Sequence, residues 1–331
     1  MEKFKAFKIQ EVDKKIQAGF VECALEELDP GQVVVRVAYS DVNYKDALAA
    51  TGKGRILRRA ACIGGIDLSG TVVSSSDARF AKGDAVLATG YDLGVAHHGG
   101  YAEYARVPAD WLVKLPGGLT LWEAMALGTA GFTAGLGIVR MEQNGLKPAN
   151  GPVIVTGATG GVGSIAIDAL ARLGYRVAAL TGKPQEAEYL KSLGAKDVLL
   201  RSDLELSKIK PLDRAQWAGA VDNLGGEVLA WVASNMQVGG TIASIGLAAS
   251  MSLNTTVAPF ILRGVSLLGI DSVNCPMAQR TEVWRRLAGD MRPAHLKEMA
   301  RTVAFDQLPG VFGAFIDARV RGRIVVDMAA G

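Results

Sequence analysis

Cysteine is scarce: Cys23, Cys62 and Cys275 are the three in the chain, an odd number at wide spacings. They make neither a CxxC pair nor the dense framework a small secreted domain needs, so reduced thiols are expected. An excess of one charge is lacking too. The 36 basic residues against 33 acidic ones leave only +3, and no basic run resembles a nucleic-acid arm or a polybasic membrane anchor. No apolar run reaches the ~18 residues of a membrane span. The start, Met1-Glu2-Lys3-Phe4-Lys5, is not followed by a signal-peptide core, so the expected address is the cytoplasm.

Glycine, by contrast, is abundant. Its 40 residues in a chain of 331 exceed the usual share of about 7% and call for many tight turns. The length favours two domains over one core, with a single large barrel as the alternative. The first third reads as β structure: Gln32–Ala38, Gly70–Ser74, Gly83–Ala88 and Tyr101–Ala105 are expected strands of a small antiparallel barrel or sandwich. From about Leu119 the rhythm changes to apolar strands alternating with helix-period segments, the pattern of βαβ units around a parallel sheet. Pro152–Thr156, Arg176–Leu180, Asp197–Leu200, Ala218–Asp222, Thr241–Ile245 and Ser266–Ile270 are the expected strands. Ser164–Leu173, Glu186–Leu193 and Glu227–Met236 are the expected helices. The fold class is therefore α/β, a β-rich domain followed by a doubly wound parallel sheet.

Between the first of these strands and the first helix lies Thr156-Gly157-Ala158-Thr159-Gly160-Gly161-Val162-Gly163. A diphosphate reaches the amides at a helix N-terminus only where the chain turns sharply and no side chain intervenes. Gly157, Gly160 and Gly163 have the required spacing, and the βαβ context makes a dinucleotide site a stronger reading than a structural turn. NAD-binding sheets usually place an acid at the end of the second strand. Here that strand ends Leu180-Thr181-Gly182-Lys183. A hydroxyl and an ammonium favour the 2′-phosphate of NADP, the alternative being a solvated lysine.

The sequence resembles the medium-chain dehydrogenase/reductase superfamily over nearly its whole length. Val42-Asn43-Tyr44-Lys45-Asp46-Ala47-Leu48, Thr51–Gly54, Gly65-Ile66-Asp67, Gly128–Ala134 and Pro259–Arg263 are similar to its zinc-free quinone oxidoreductase-like group, acrylyl-CoA reductase branch. Gly64 stands where that family often has proline. The resemblance implies a GroES-like catalytic domain from residues 1–118 and 296–331, a Rossmann NADP-binding domain from 119–295, and a homodimer. Zinc-containing members place a cysteine near Asn43 and a histidine near Ile66; neither residue is a zinc ligand, and three scattered cysteines cannot build a four-cysteine lobe. No metal is expected, His97 and His98 being read as cleft-lining or exposed.

Without a Lewis acid, reduction of an activated carbon–carbon double bond is attractive. The expected reaction is NADPH-dependent reduction of acrylyl-CoA to propionyl-CoA; quinone reduction and non-catalytic NADP binding are the alternatives. Tyr44, beside Asn43, is the candidate donor to the developing enolate, against the alternative of a buried packing ring. The resemblance also implies that Thr159, Gly160, Gly161 and Val162 hold the pyrophosphate, and that Thr181, Gly182, Lys183 and Arg201 hold the adenosine phosphate. Leu247, Ile261 and Ser272 would line the nicotinamide side, with Tyr44 also near the cofactor. Arg323 would reach substrate or cofactor if the terminal segment returns to the first domain.

Overall fold

The computed structural model describes residues 3–330. Alternating burial shapes the first part of the chain. Phe4–Val12 (β1) buries Phe4, Ala6, Phe7 and Ile9, then turns back as Lys15–Cys23 (β2), in register from Phe4↔Cys23 to Val12↔Lys15. The two-residue turn between them is Asp13-Lys14, with φ of 51° and 61°, where such hairpins usually place Asn-Gly. Val33–Asp41 (β3), Ala61–Ile63 (β4), Asp67–Ser75 (β5), Ala85–Thr89 (β6), Tyr104–Val107 (β7) and Val113–Lys114 (β8) follow.

Six apolar strands then alternate with helices: Val153–Thr156 (β9), Val177–Thr181 (β10), Asp197–Leu200 (β11), Trp217–Asp222 (β12), Met236–Ser244 (β13) and Ser266–Gly269 (β14). Ala300–Ala304 (β15) and Arg323–Asp327 (β16) close the chain. The helices used below are Tyr44–Thr51 (α1), Leu121–Gln143 (α2), Gly161–Arg172 (α3), Ala187–Ser192 (α4), Gly226–Ser234 (α5) and Ala258–Arg263 (α6).

Contacts divide the chain into two compact units. The first runs through Thr129 and adds Val273–Thr281 and the segment from Leu296 onward. Its larger sheet has the order β15-β16-β3-β5-β6-β8 with β7 also on β3, and its smaller sheet is β2-β1-β4. The terminal strand β16 lies antiparallel to β3, Val325 opposite Asp41, so the tail does return to the β-rich unit. The second unit is Ala130–Ser272 with Glu282–His295. Its parallel sheet has the order β11-β10-β9-β12-β13-β14; the order reverses direction between β9 and β12, where such sheets bind ligands beyond their carboxyl ends. β9, β10 and β12 are buried throughout, as interior parallel strands must be, whereas β14 is a half-exposed edge.

Three expectations are corrected. The strand expected over Tyr101–Ala105 begins only at Tyr104, because Tyr101 is held in a packed loop, its amide donating to Gly64 O and its hydroxyl to Asp41 O. The helix expected over Glu227–Met236 stops at Ser234: Asn235 Nδ2 donates to Trp231 O at 2.9 Å, taking one of the last carbonyls, and Met236 starts β13. Finally, α2 is long and apolar enough by length and composition to cross a membrane, although 89% of its most apolar stretch is buried within the protein. It is broken at Gly128.

Candidate active site

In the second unit, β9 delivers the chain into the glycine turn and Gly160 caps α3. The amides of the first helical turn have no partner within the helix. Their approach is open: a Cβ on Gly160 would meet nothing nearer than Gly157 O at 3.4 Å. Gly163 has the opposite constraint, since a Cβ there would stand 2.5 Å from Gly157 O and 2.8 Å from Ala158 Cα. One glycine leaves room for a ligand; the other lets helix and turn pack. Thr159 is buried, and Gly161 and Val162 are half-buried in the first turn of α3.

At the end of β10, buried Thr181 accepts the Lys183 amide on Oγ1 at 3.0 Å, which folds Thr181-Gly182-Lys183 into a tight turn. Thr181 pairs with Leu200 across the parallel ladder, so Arg201 leaves β11 at the same end of the sheet, one strand spacing or about 4.8 Å away. Arg201 is exposed and lines a small cleft with Gly226, Glu227, Ser250 and Asn254. Gly182, Lys183, Pro184 and Gln185 follow β10, so no carboxylate comes in this stretch before Glu186. Leu247, beyond β13, and Ile261, on α6, are 59% and 72% exposed, and Ser272 beyond β14 is half-buried.

A second polar cluster lies in the first unit. Asn43 is the N-cap of α1, its amide donating to Asp46 Oδ2 at 2.9 Å. Its side-chain Nδ2 donates to Asp41 Oδ1 at 2.7 Å and to Asp67 Oδ2 at 2.9 Å. Arg323 donates from Nη1 to Asn43 Oδ1 at 3.1 Å, from Nη2 to Asp41 Oδ2 at 2.6 Å and from Nε to Ala126 O at 3.1 Å. Thr129 gives both its amide and its hydroxyl to Asp67, at 2.7 and 2.5 Å. The side chains of Asp41 and Arg323 are 0% and 3% exposed.

Three buried carboxylates against one guanidinium make this island short of positive charge. Burial, and then the charge of Asp67, hold the Asp41 carboxyl well above the usual carboxylate range despite Arg323. Burial likewise pushes Asp46 up to about 7. The break in α2 is shaped by the same island. Gly128 has φ 52°, and a Cβ there would fall 1.8 Å from Asp41 Oδ2 and 2.6 Å from Arg323 Nη2, so no other residue fits. Tyr44, the first helical residue of α1, is 52% exposed with a hydroxyl that makes no hydrogen bond among the described residues. A buried packing ring is therefore not its role.

Residues 29–117 match the family described as the alcohol dehydrogenase GroES-like domain, and residues 161–289 the zinc-binding dehydrogenase family. The chain is 51% identical over 304 residues to the putative quinone oxidoreductase YhfP of Bacillus subtilis, covering 92% of each. It is 48% identical over 316 residues to the acrylyl-CoA reductase AcuI of Ruegeria pomeroyi, covering 96% of each. The chain belongs to the medium-chain dehydrogenase/reductase superfamily. Solved relatives include the yhdH oxidoreductase of Salmonella enterica in complex with NADP, at TM-score 0.95 and 46% identity over 98% of this chain and 99% of that one. The B. subtilis yhfP structure, with NAD bound, superposes at TM-score 0.97 with 48% identity, over 99% and 100%. Both parts of the expected fold, the GroES-like domain and the Rossmann sheet, are present in this oxidoreductase.

The description zinc-binding does not fit these residues. At the position of a cysteine ligand, Asn43 has its amide committed to Asp41, Asp67 and Arg323, so a fixed guanidinium already supplies the local positive charge. Ile66 is a buried hydrocarbon. His97 and His98 are engaged with backbone: His97 lies 3.1 Å from Pro30 O through Nε2, and His98 Nδ1 accepts the Ile63 amide at 3.0 Å. Among the described residues no group of three or more potential metal-ligating side chains assembles.

Sequence reasoning missed two sets of residues. Asp41, Asp46, Asp67 and Thr129 carry no role in the sequence reading, although Asp46, Asp67 and Thr129 lie inside the family-like motifs. In the second unit, Asp222 Oδ1 accepts from Thr156 Oγ1 at 2.7 Å, Asn223 Nδ2 donates to Thr156 O at 2.7 Å, and Asp222 Oδ2 accepts the Gly225 amide at 2.8 Å. These bonds tie the loop after β12 to the start of the glycine turn. Gly64, in the place of a family proline, donates its amide to Phe7 O at 3.1 Å, a bond proline lacks.

Proposed function

We propose that this protein uses NADPH to reduce the carbon–carbon double bond of acrylyl-CoA, giving propionyl-CoA. The observation that carries the cofactor half is the end of β10, where Thr181-Gly182-Lys183 and neighbouring Arg201 stand in place of a ribose-binding acid. The open first turn of α3 fits a diphosphate, with Thr159, Gly160, Gly161 and Val162 as its holders. Bound NADPH supplies the hydride. Atoms balance with one further proton: hydride adds to the β-carbon, negative charge moves to the thioester oxygen, and the α-carbon is protonated.

Tyr44 is the donor to that oxygen, because its hydroxyl is accessible and uncommitted. Asn43 and Arg323 act as positioning residues: their polar atoms bind Asp41, Asp67 and each other, and Asn43 caps the helix that begins with Tyr44. The misfit of Asn43 and Ile66 to zinc favours an acceptor that needs no metal polarisation, which suits an enoyl thioester or a quinone better than a simple ketone. Identity to AcuI supports the thioester; the name of the B. subtilis relative supports quinone reduction as the second reading.

Measuring NADPH oxidation with acrylyl-CoA and with quinones decides between them. Turnover of acrylyl-CoA is expected, and quinone turnover without it reverses the order. In the same preparation Lys183→Ala should weaken NADPH roughly tenfold while leaving NADH unchanged, the loss of one charge-assisted contact. Equal fluorescence titrations of NADPH and NADH in the wild type would remove the argument for NADP.

We also propose a homodimer formed along β14. Met251, Val257 and Leu262, in the segment that leads into that edge strand, are all more than half exposed, and the strand itself has one unpaired side. Sedimentation equilibrium at micromolar concentration should give twice the chain mass, and a monomer there overturns the pairing.

A further inference from the structure

The first unit carries a cleft of about 880 Å³ at the C-terminal end of α1, away from the carboxylate island at its N-terminus. Its floor is the β1–β2 turn on one side and the segment from Gly52 to Ala60 on the other, joined where the Glu11 amide donates to Ala60 O. Four cations line it, Lys14, Arg55, Arg58 and Arg59, against two carboxylates, Glu11 and Asp13. Arg58 pairs with Asp92, and Arg59 with Asp29 at 2.6 Å. Lys14 and Arg55 make no ion pair among the described residues, and both are exposed. Lys14 is also held at positive φ, a conformation a lysine adopts at some cost. The hairpin therefore holds a solvent-exposed ammonium, without an ion pair among the described residues, at a position where glycine would be the easier residue.

We infer that this cleft binds the phosphate-bearing nucleotide end of a coenzyme A thioester. The inference rests on the acyl-CoA reading above and adds the place where the substrate's charge is recognised. α1 has 8 residues, so its two ends are about 12 Å apart. The pantetheine arm of coenzyme A is long enough to bridge that distance, with the thioester at the Tyr44 end and the diphosphate at the Arg55 end. The phosphates of the dinucleotide have a cradle of their own in the second unit, at the start of α3. Two separate polyanion sites suit a reaction with two phosphate-bearing partners, and guanidinium and ammonium groups are the usual recognition elements for such ligands.

The test compares acrylyl-CoA with acrylyl-pantetheine, which keeps the reacting group and lacks the phosphates. In the Lys14→Gly/Arg55→Ala double variant, KM for acrylyl-CoA should rise roughly tenfold. kcat, KM for NADPH and KM for acrylyl-pantetheine should stay within about twofold of wild type, the margin a loss of well under one charge-assisted contact allows. Lys14→Gly relaxes a left-handed position, so the variant should fold; a thermal melt checks this. Equal losses with both acceptors, an unchanged KM for acrylyl-CoA, or a raised KM for NADPH each overturn the inference. Calorimetric titration with free coenzyme A and with pantetheine reads the cleft independently of turnover. Tighter binding of coenzyme A that the double variant loses supports the cleft even if another acceptor proves to be the one reduced. No binding of coenzyme A, or binding that the variant keeps, overturns it even if acrylyl-CoA is turned over.

Discussion

Arg323→Met should destabilise the protein by about 3–5 kcal/mol, the range for removing one partner from a buried ion pair. The guanidinium is 3% exposed and holds Asp41, Asn43 and the Ala126 carbonyl, so methionine fills the space but leaves the acceptors unsatisfied. The cost should grow with pH. Asp41 and Asp46 both have carboxyl groups raised above the ordinary range by burial. A group raised on folding contributes stability that is complete below its unfolded pKa, ~4 for a carboxyl, and is lost as pH rises through its folded value, about 7 for Asp46. Wild-type stability should therefore fall between those limits, and more steeply in Arg323→Met, where Asp41 has lost its counter-charge. Urea unfolding at pH 5 and pH 8 measures both effects. Adding Asp41→Asn to the variant should recover part of the loss at pH 8. A variant within about 1 kcal/mol of wild type at both pH values would show that the pair is no more than an exposed one in its energetics.

Tyr44→Phe should slow the chemical step about 100-fold or more, the usual scale for one donor to a developing oxyanion. Packing should survive, because the ring is retained and half of the residue is exposed already. NADPH affinity should hardly change, since the phosphate contacts proposed above all lie in the other unit. Single-turnover rates with acrylyl-CoA beside a cofactor titration separate the outcomes. Wild-type turnover would leave Tyr44 a bystander, and lost NADPH binding would make it a cofactor contact.

The parts legible in the sequence were those whose signal is local. The glycine turn, the strand before it and the helix after it occupy one continuous stretch, and each of the six parallel strands is a short apolar run between helical segments. The carboxylate island has no such signature. It assembles residues 41, 43, 46, 67, 129 and 323, and a buried aspartate is spelled the same way as a solvated one. In the sequence Asn43 stands out for what it replaces, not for what it holds. The first hairpin escaped for a different reason: its turn is Asp13-Lys14, so the Asn-Gly signal that marks such turns is missing. Met236 shows the limit of periodicity, since the apolar face of α5 runs into an equally apolar strand and only the side chain of Asn235 marks the end.

Strand β16 has a consequence for the order in which the protein is made. The inner strand β3 is complete after Asp41, yet its partner along Val325–Asp327 is synthesised only after the whole parallel-sheet unit, and that same strand brings Arg323 to Asp41, 282 residues earlier in the chain. Until residues 323–327 have emerged, the nascent β-rich unit presents an open sheet edge and carries Asp41 without its cation. The strands of the parallel sheet, β9 to β14, are by then all in hand. The usual sequence of vectorial folding, N-terminal unit first, is thus reversed: the unit begun first is the one completed last.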